Sequence, residues 1–195
     1  MATTFPTRTP SHSARWWWAT LAIVALAALV LLAMDRTPIC TCGTVKLWHG
    51  TVQSAENSQH LADWYSLSHV VHGLIFYGLG WLVLRRQPWQ LRLAFATLVE
   101  AAWEILENSP IIIDRYRAVT IALGYEGDSV VNSIADIGWM VVGFAVARRL
   151  PPWATIALGI ALELVALAAI RDNLTLNVWM LLAPNDAVRS WQAGA

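Results

Sequence analysis

The sequence predicts an all-α fold: a polytopic membrane helical bundle of five transmembrane helices, with a short C-terminal interfacial or re-entrant helix. Three observations carry this expectation. Of the 195 residues, 57% are hydrophobic and only 13% are charged, whereas a soluble domain is about 45–50% apolar and about 25% charged. Mean hydropathy is +0.49. The 12 tryptophans are of a residue type that settles at membrane–water interfaces. Basic and acidic side chains balance to zero net charge, which leaves nucleic acid without an electrostatic footprint.

Residues 1–15 are polar, contain Pro6, Pro10, Arg8 and Arg15, and read as a disordered cytoplasmic tail. Residues 16–195 form a single bundle domain. The first span is 16–34, an apolar run long enough to cross a bilayer. It is longer than the core of a signal peptide and no small-residue cleavage site follows, so an uncleaved anchor is expected. A polar loop over 35–67 holds Cys40-Thr41-Cys42, His49, His60 and Asp63. Cysteines at i, i+2 are poorly placed to bond each other without strain. A bond to another protein, metal binding and no role are all open for them.

The second span is 68–84, closed by Arg85-Arg86-Gln87-Pro88, and the third is 93–113, with Pro110 expected to kink or end it. A second polar loop covers 114–127. The fourth span, 129–147, is closed by Arg148-Arg149, and the fifth is 153–170. The apolar run 174–183 covers only about 15 Å as a helix, half a bilayer core, hence its assignment as interfacial or re-entrant.

Orientation follows from the arginines. An N-in arrangement puts Arg8, Arg15, Arg85, Arg86, Arg92, Arg148 and Arg149 in cytoplasmic segments free of acids. The protein is expected in a bacterial inner membrane with its C-terminus in the periplasm. Depths measured along each helix then place His72 and Asn132 roughly 5–6 Å below the outer face, Glu107, Glu163 and Asp136 roughly 10–11 Å, and Glu104 about 14 Å. The inner half of every span is nearly free of such groups. Ionisable residues are costly in hydrocarbon and face a bundle interior or a wet cavity.

Facing agrees with depth. His69 and His72 are i, i+3; Glu100, Glu104 and Glu107 run i, i+4, i+7; Asp128, Asn132 and Asp136 run i, i+4, i+8. Each set makes a stripe on one side of its helix. Small residues beside the stripes, Gly73, Ala101, Ser129, Ser133 and Gly138, admit close helix approach. Histidine and carboxylate on facing helices are how bundles hold divalent metals, so His69, His72, Glu104 and Glu107 are candidate ligands for a divalent metal of unknown identity. The same residues with Asp128 and Asp136 are candidates for acid–base work. Arg115, Arg117 and Arg171, with Asn132, are candidates for holding an anion. Glu163, with no polar mate on its own helix, needs a partner across helices, most simply another acid sharing a proton or a histidine. The bland alternative is that histidine and carboxylate satisfy each other and hold the bundle together.

Several strings in order carry a resemblance: Val45-Lys46-Leu47-Trp48-His49-Gly50, Ser68-His69-Val70-Val71-His72-Gly73, Trp103-Glu104-Ile105-Leu106-Glu107-Asn108-Ser109-Pro110, Ile113-Asp114-Arg115-Tyr116-Arg117 and Gly127-Asp128-Ser129-Val130-Val131-Asn132-Ser133. Over roughly residues 38–191 the chain resembles an uncharacterised, UPF-type family of bacterial multi-pass inner-membrane proteins, which implies no activity. More distantly, the order of His, Glu and Asp-x3-Asn is similar to VanZ-like membrane proteins, which implies an outer-leaflet site and lipid-like ligands. Three functions are consistent with these observations. The first is an enzyme or binder acting on an anionic lipid or lipid-linked head group. The second is a non-catalytic accessory or assembly subunit whose polar layer is structural. The third, a transporter or proton path, is disfavoured by the apolar inner half.

Overall fold

The computed structural model describes residues 14–122 and 124–194; most of the expected tail, 1–13, lies outside them. Among the described residues the chain forms eight helices and no strand: α1 (Ala14–Ala33), α2 (Ser66–Val83), α3 (Trp89–Glu107), α4 (Pro110–Val119), α5 (Val130–Ala147), α6 (Pro152–Ile170), α7 (Leu174–Leu182) and α8 (Asp186–Ala193). Of these, α1, α2, α5 and α6 are long and apolar enough to cross a membrane. Helix α3 matches them in length but carries Arg92, Glu100, Glu104 and Glu107, which lowers its hydropathy.

The expected third span, 93–113, is two helices. Asn108 caps α3 at φ −79°, Ser109 is extended, and Pro110 starts α4 at the first helical position, where its missing N–H costs nothing. The first part of the expected loop, 114–119, is therefore helical. Helix α8 is a further element, started by Asn185, whose side chain accepts from Ala187 N and Val188 N.

Helices α2 and α5 form the most extensive interface, with α3 packed on α1 and against both. Glycine makes the α2–α5 contact possible. A Cβ on Gly73 would fall on the Met140 carbonyl and Phe144 N, and one on Gly143 would fall on the Val70 carbonyl. Gly138, expected to serve this purpose, has open space around it. One core cluster, Leu93, Ala96, Met140 and Phe144, closes the half of the bundle away from the polar groups. On the outside, α6 exposes Ile156, Ile160, Leu164 and Val165, an apolar surface suited to lipid rather than water.

The loop between α1 and α2 docks on the start of α5. Val130 N and Val131 N donate to the carbonyls of Thr37 and Pro38 (2.8 and 3.1 Å), and Ser129 N donates to Ser58 O (3.2 Å). The Asn132 amide donates to His60 O at 2.8 Å, and the Trp139 indole to Leu61 O at 2.9 Å. These bonds satisfy free N–H groups at the head of α5 and hold the loop as a roof over one end of the bundle.

Candidate functional site

Under that roof lies a cavity of about 730 Å³, bordered by the loop and by one end of α2, α3, α5 and α7. The size suits a small-molecule site. Its polar wall includes His69, His72, Glu107, Asp128, Asp136 and Asp172.

Glu100, fully buried on α3, organises the histidines. Its carboxylate accepts from His69 Nδ1 at 2.6 Å and from His72 Nδ1 at 3.0 Å. With Nδ1 protonated toward a carboxylate, a neutral imidazole keeps its lone pair on Nε2 and has its ring orientation fixed. His69 Nε2 lies 3.8 Å from Asp136 Oδ2 of α5, and Ser66 Oγ donates to the other Asp136 oxygen at 3.1 Å. Glu104 Oε1 sits 3.5 Å from His69 Nδ1, yet it is buried and has no hydrogen-bond partner among the described residues. Ligand atoms of His69, Glu104 and Asp136, from three helices, lie within 4.8 Å of one another; so do those of His69, His72 and Glu100, and those of Glu104, Glu107 and Asp128.

A second layer of hydrogen bonds fixes the acids nearer the cavity. Asn108, buried at the end of α3, donates to Asp128 Oδ2 (2.9 Å) and to Glu104 O (3.0 Å), and accepts from Asp128 N (2.7 Å). Three tyrosine hydroxyls each reach one acid: Tyr125 donates to Asp128 (2.8 Å), Tyr116 to Glu107 (2.9 Å) and Tyr65 to Asp172 (3.2 Å). Burial pushes the Asp128 carboxyl up to about 6, against the opposing pull of its Tyr125 and Asn108 hydrogen bonds. Burial likewise lifts Asp172 to about 6, and raises the Tyr116 and Tyr125 hydroxyls well above their ordinary value. Gly127, at φ +94°, lets the chain pass between Arg36 and Asn108 to present Asp128.

The structure therefore brings His69, His72, Glu104, Glu107, Asp128, Asn132 and Asp136 to one end of the bundle. It sends the three expected anion-binding arginines elsewhere. Arg115 donates twice to Leu181 O (2.9 and 3.0 Å), tying α4 to α7. Arg117 donates to Tyr125 O and neighbours Asp114, and Arg171 donates to Trp191 O. None of the three borders the cavity; Arg36 does. Glu163 does not join the polar layer or pair with an acid or histidine. Its carboxylate accepts from Leu174 N, Thr175 N and Thr175 Oγ1 (2.6–3.1 Å) and caps α7, the place where a helix dipole favours an anion.

Glu100 lies outside the expected site although it shares a stripe with Glu104. Asn108, Arg36, Asp172 and the three tyrosines are also outside it; they lie in loops, at helix ends or on the short helix α4, where no stripe marks them. Cys40 and Cys42 are joined to each other as a disulfide; the turn at 40–43 brings their Cα atoms to 5.1 Å, within bonding range.

Residues 31–194 match the family described as "Protein of unknown function (DUF2585)". The chain is 60% identical over 177 residues to the UPF0314 protein of Paracoccus denitrificans, covering 91% of this chain and 92% of that one. It is 59% identical over 179 residues to the UPF0314 protein of Sphingopyxis alaskensis (91% and 95%), and 56% identical over 183 residues to that of Rhizobium meliloti (94% and 93%). No solved structure matches. The chain belongs to the DUF2585 family of proteins of unknown function.

Proposed function

We propose that this protein is a five-span inner-membrane protein that binds a divalent cation between His69, Glu104 and Asp136, beneath a ligand cavity open to the periplasmic side. The observation that carries this reading is Glu104 Oε1, buried and without a hydrogen-bond partner among the described residues, beside an imidazole whose Nδ1 is held by Glu100. An unsatisfied buried carboxylate oxygen is costly, and a cation would satisfy it together with His69 Nε2 and Asp136. Glu104 also belongs to the adjoining Glu107–Asp128 set, which extends the polar layer toward the cavity. Supporting the orientation, Arg85, Arg86, Arg148 and Arg149 sit at the ends of α2 and α5 remote from the cavity, as the positive-inside rule requires of cytoplasmic turns. A lipid head-group ligand loses its main support, because Arg115, Arg117 and Arg171 are engaged with backbone carbonyls.

One observation favours a structural role instead. Glu100, His69 and His72 already satisfy one another without an ion. The two readings separate on titration of detergent-solubilised protein with Mn²⁺ and Zn²⁺, wild type beside Glu104→Gln. Cation binding predicts saturable uptake by the wild type, weakened at least about tenfold by the variant, with the variant still folded. No uptake by folded wild type sinks the proposal in favour of the accessory role.

A further inference from the structure

Outside the membrane layer, a second cluster of metal-ligating side chains sits in the roof loop. Ligand atoms of Cys40, Cys42, Glu56 and His60 lie within 4.8 Å of one another. Cys40 and His60 are buried, while Cys42 is exposed and Glu56 half-buried, so the cluster has one open side for entry. Thiolate, imidazole and carboxylate are the donor set of a four-coordinate zinc site, with metal–ligand bonds of about 2.0–2.3 Å. Closing a 4.8 Å cluster to a tetrahedron moves each ligand by about an ångström or less.

The surroundings are prepared for such a site. Cys40 Sγ, joined here to Cys42 Sγ, accepts from Cys42 N at 3.1 Å. Cys42 Sγ has Thr44 Oγ1 at 3.3 Å. His60 Nδ1 accepts from Lys46 N at 3.3 Å, so Nε2 carries the ring proton, and it faces Glu56 Oε2 at 3.1 Å. Ligation through Nε2 moves that proton to Nδ1 and gives up both the Lys46 N contact and the hydrogen bond to Glu56, whose Oε2 also pairs with Lys46 Nζ and must leave that ammonium to reach the metal.

We propose that Cys40, Cys42, Glu56 and His60 form a site for a tetrahedral, borderline-soft divalent cation of the Zn²⁺ type, available when the two thiols are reduced and closed when they are joined. Reduction by a dithiol delivers two electrons and two protons to the Cys40–Cys42 bond, the dithiol leaving as its own disulfide. The metal then displaces both thiol protons to solvent. The site links the two legs of the roof: residues just before Cys40 hold the first amides of α5, and Ser58 holds Ser129. Thr41 and Ser54, on either leg, both border the cavity. A metal here would latch the roof over the cavity, independently of any cation held by His69, Glu104 and Asp136.

The test is Co²⁺ titration of the full-length protein in detergent. Thiolate-to-cobalt charge transfer in the near ultraviolet reports sulfur ligation, which the all-nitrogen-and-oxygen set in the membrane cannot produce. The expected result is a saturable band in protein reduced with a phosphine, displaced by Zn²⁺, and absent from the same protein oxidised. Cys40→Ser should abolish the band, and His60→Ala and Glu56→Gln should each weaken cobalt binding at least about tenfold. The band should survive unchanged in Glu104→Gln. The oxidised and reduced comparison needs no variant, so a poorly folding Cys40→Ser leaves the test intact. Absence of the band from reduced wild type overturns the proposal. So does a band unaffected by both His60→Ala and Glu56→Gln, which would mean a bare dithiol.

Discussion

A single carboxylate, Glu100, receives both imidazoles of the polar layer, so two neighbouring acids differ sharply in what they do. Glu100 is satisfied and holds the ring orientation of His69; Glu104 is buried beside it with one oxygen unbonded. Glu100→Gln should therefore destabilise the fold strongly, on the scale of about 3–5 kcal/mol for a broken buried pair, and Glu104→Gln far less. Melting temperatures in detergent check the order, and equal losses would place both acids in one structural role. Asp172 gives a pH prediction outside the membrane layer. Burial raises its carboxyl from the ordinary 3.8 to about 6, so the folded state prefers the neutral acid. Its contribution is whole below about pH 4 and is lost as pH climbs through about 6, a change of roughly 3 kcal/mol. Asp172→Asn should flatten that part of the stability profile; an unchanged slope between pH 4 and 7 contradicts it. The stripes at i, i+3 and i, i+4 made the facing of these residues legible. Which acid pairs with which histidine was not, because stripe spacing says nothing about the rotation of one helix against another.

At the level of elements, the α2–α5 crossing positions His69 opposite Asp136, and Gly73 and Gly143 permit it. Gly143→Val should push α2 away and cost at least the about 1–3 kcal/mol of an overpacked core, with weaker cation binding as the second symptom. Gly138→Ala and Gly78→Ala, where a Cβ meets open space, should be near neutral in both. Thermal melts and Mn²⁺ titration of the three variants test this, and equal effects at Gly138 and Gly143 would refute the crossing. Helix ends were readable where proline and paired arginines mark them, as at 85–88 and 148–152. The expectation that Pro110 kinks or ends the third span is half met: α3 does stop before it, but its fixed φ and missing N–H make it a helix start. The acid or histidine partner expected for Glu163 is replaced for a related reason: its partners are backbone N–H groups of α7, and no residue pattern announces a backbone partner.

For the whole molecule, the gathering of the histidines and acids of α2, α3 and α5 at one end follows from hydropathy and rise per residue, which is why the polar layer is legible in the sequence. The roof is not. Its docking rests on backbone amides at the head of α5 and on a loop with little periodicity, and Arg115, Arg117 and Arg171 tie α4, α7, α8 and the nearby loop through backbone carbonyls that no residue pattern announces. Cysteine scanning in a Cys40→Ser/Cys42→Ser background tests the orientation: Gly124→Cys should react with an impermeant reagent in intact cells, and Gln87→Cys only after lysis. The opposite pattern would turn the cavity toward the cytoplasm. The central claim is tested most directly by elemental analysis of protein in that same background, purified without chelator, beside its His69→Ala/Glu104→Gln derivative. A cation held by His69, Glu104 and Asp136 means a bound divalent metal near one equivalent per chain in the first, and loss of most of it from a folded second. A metal-free first protein that also fails to take up Mn²⁺ or Zn²⁺ would contradict it.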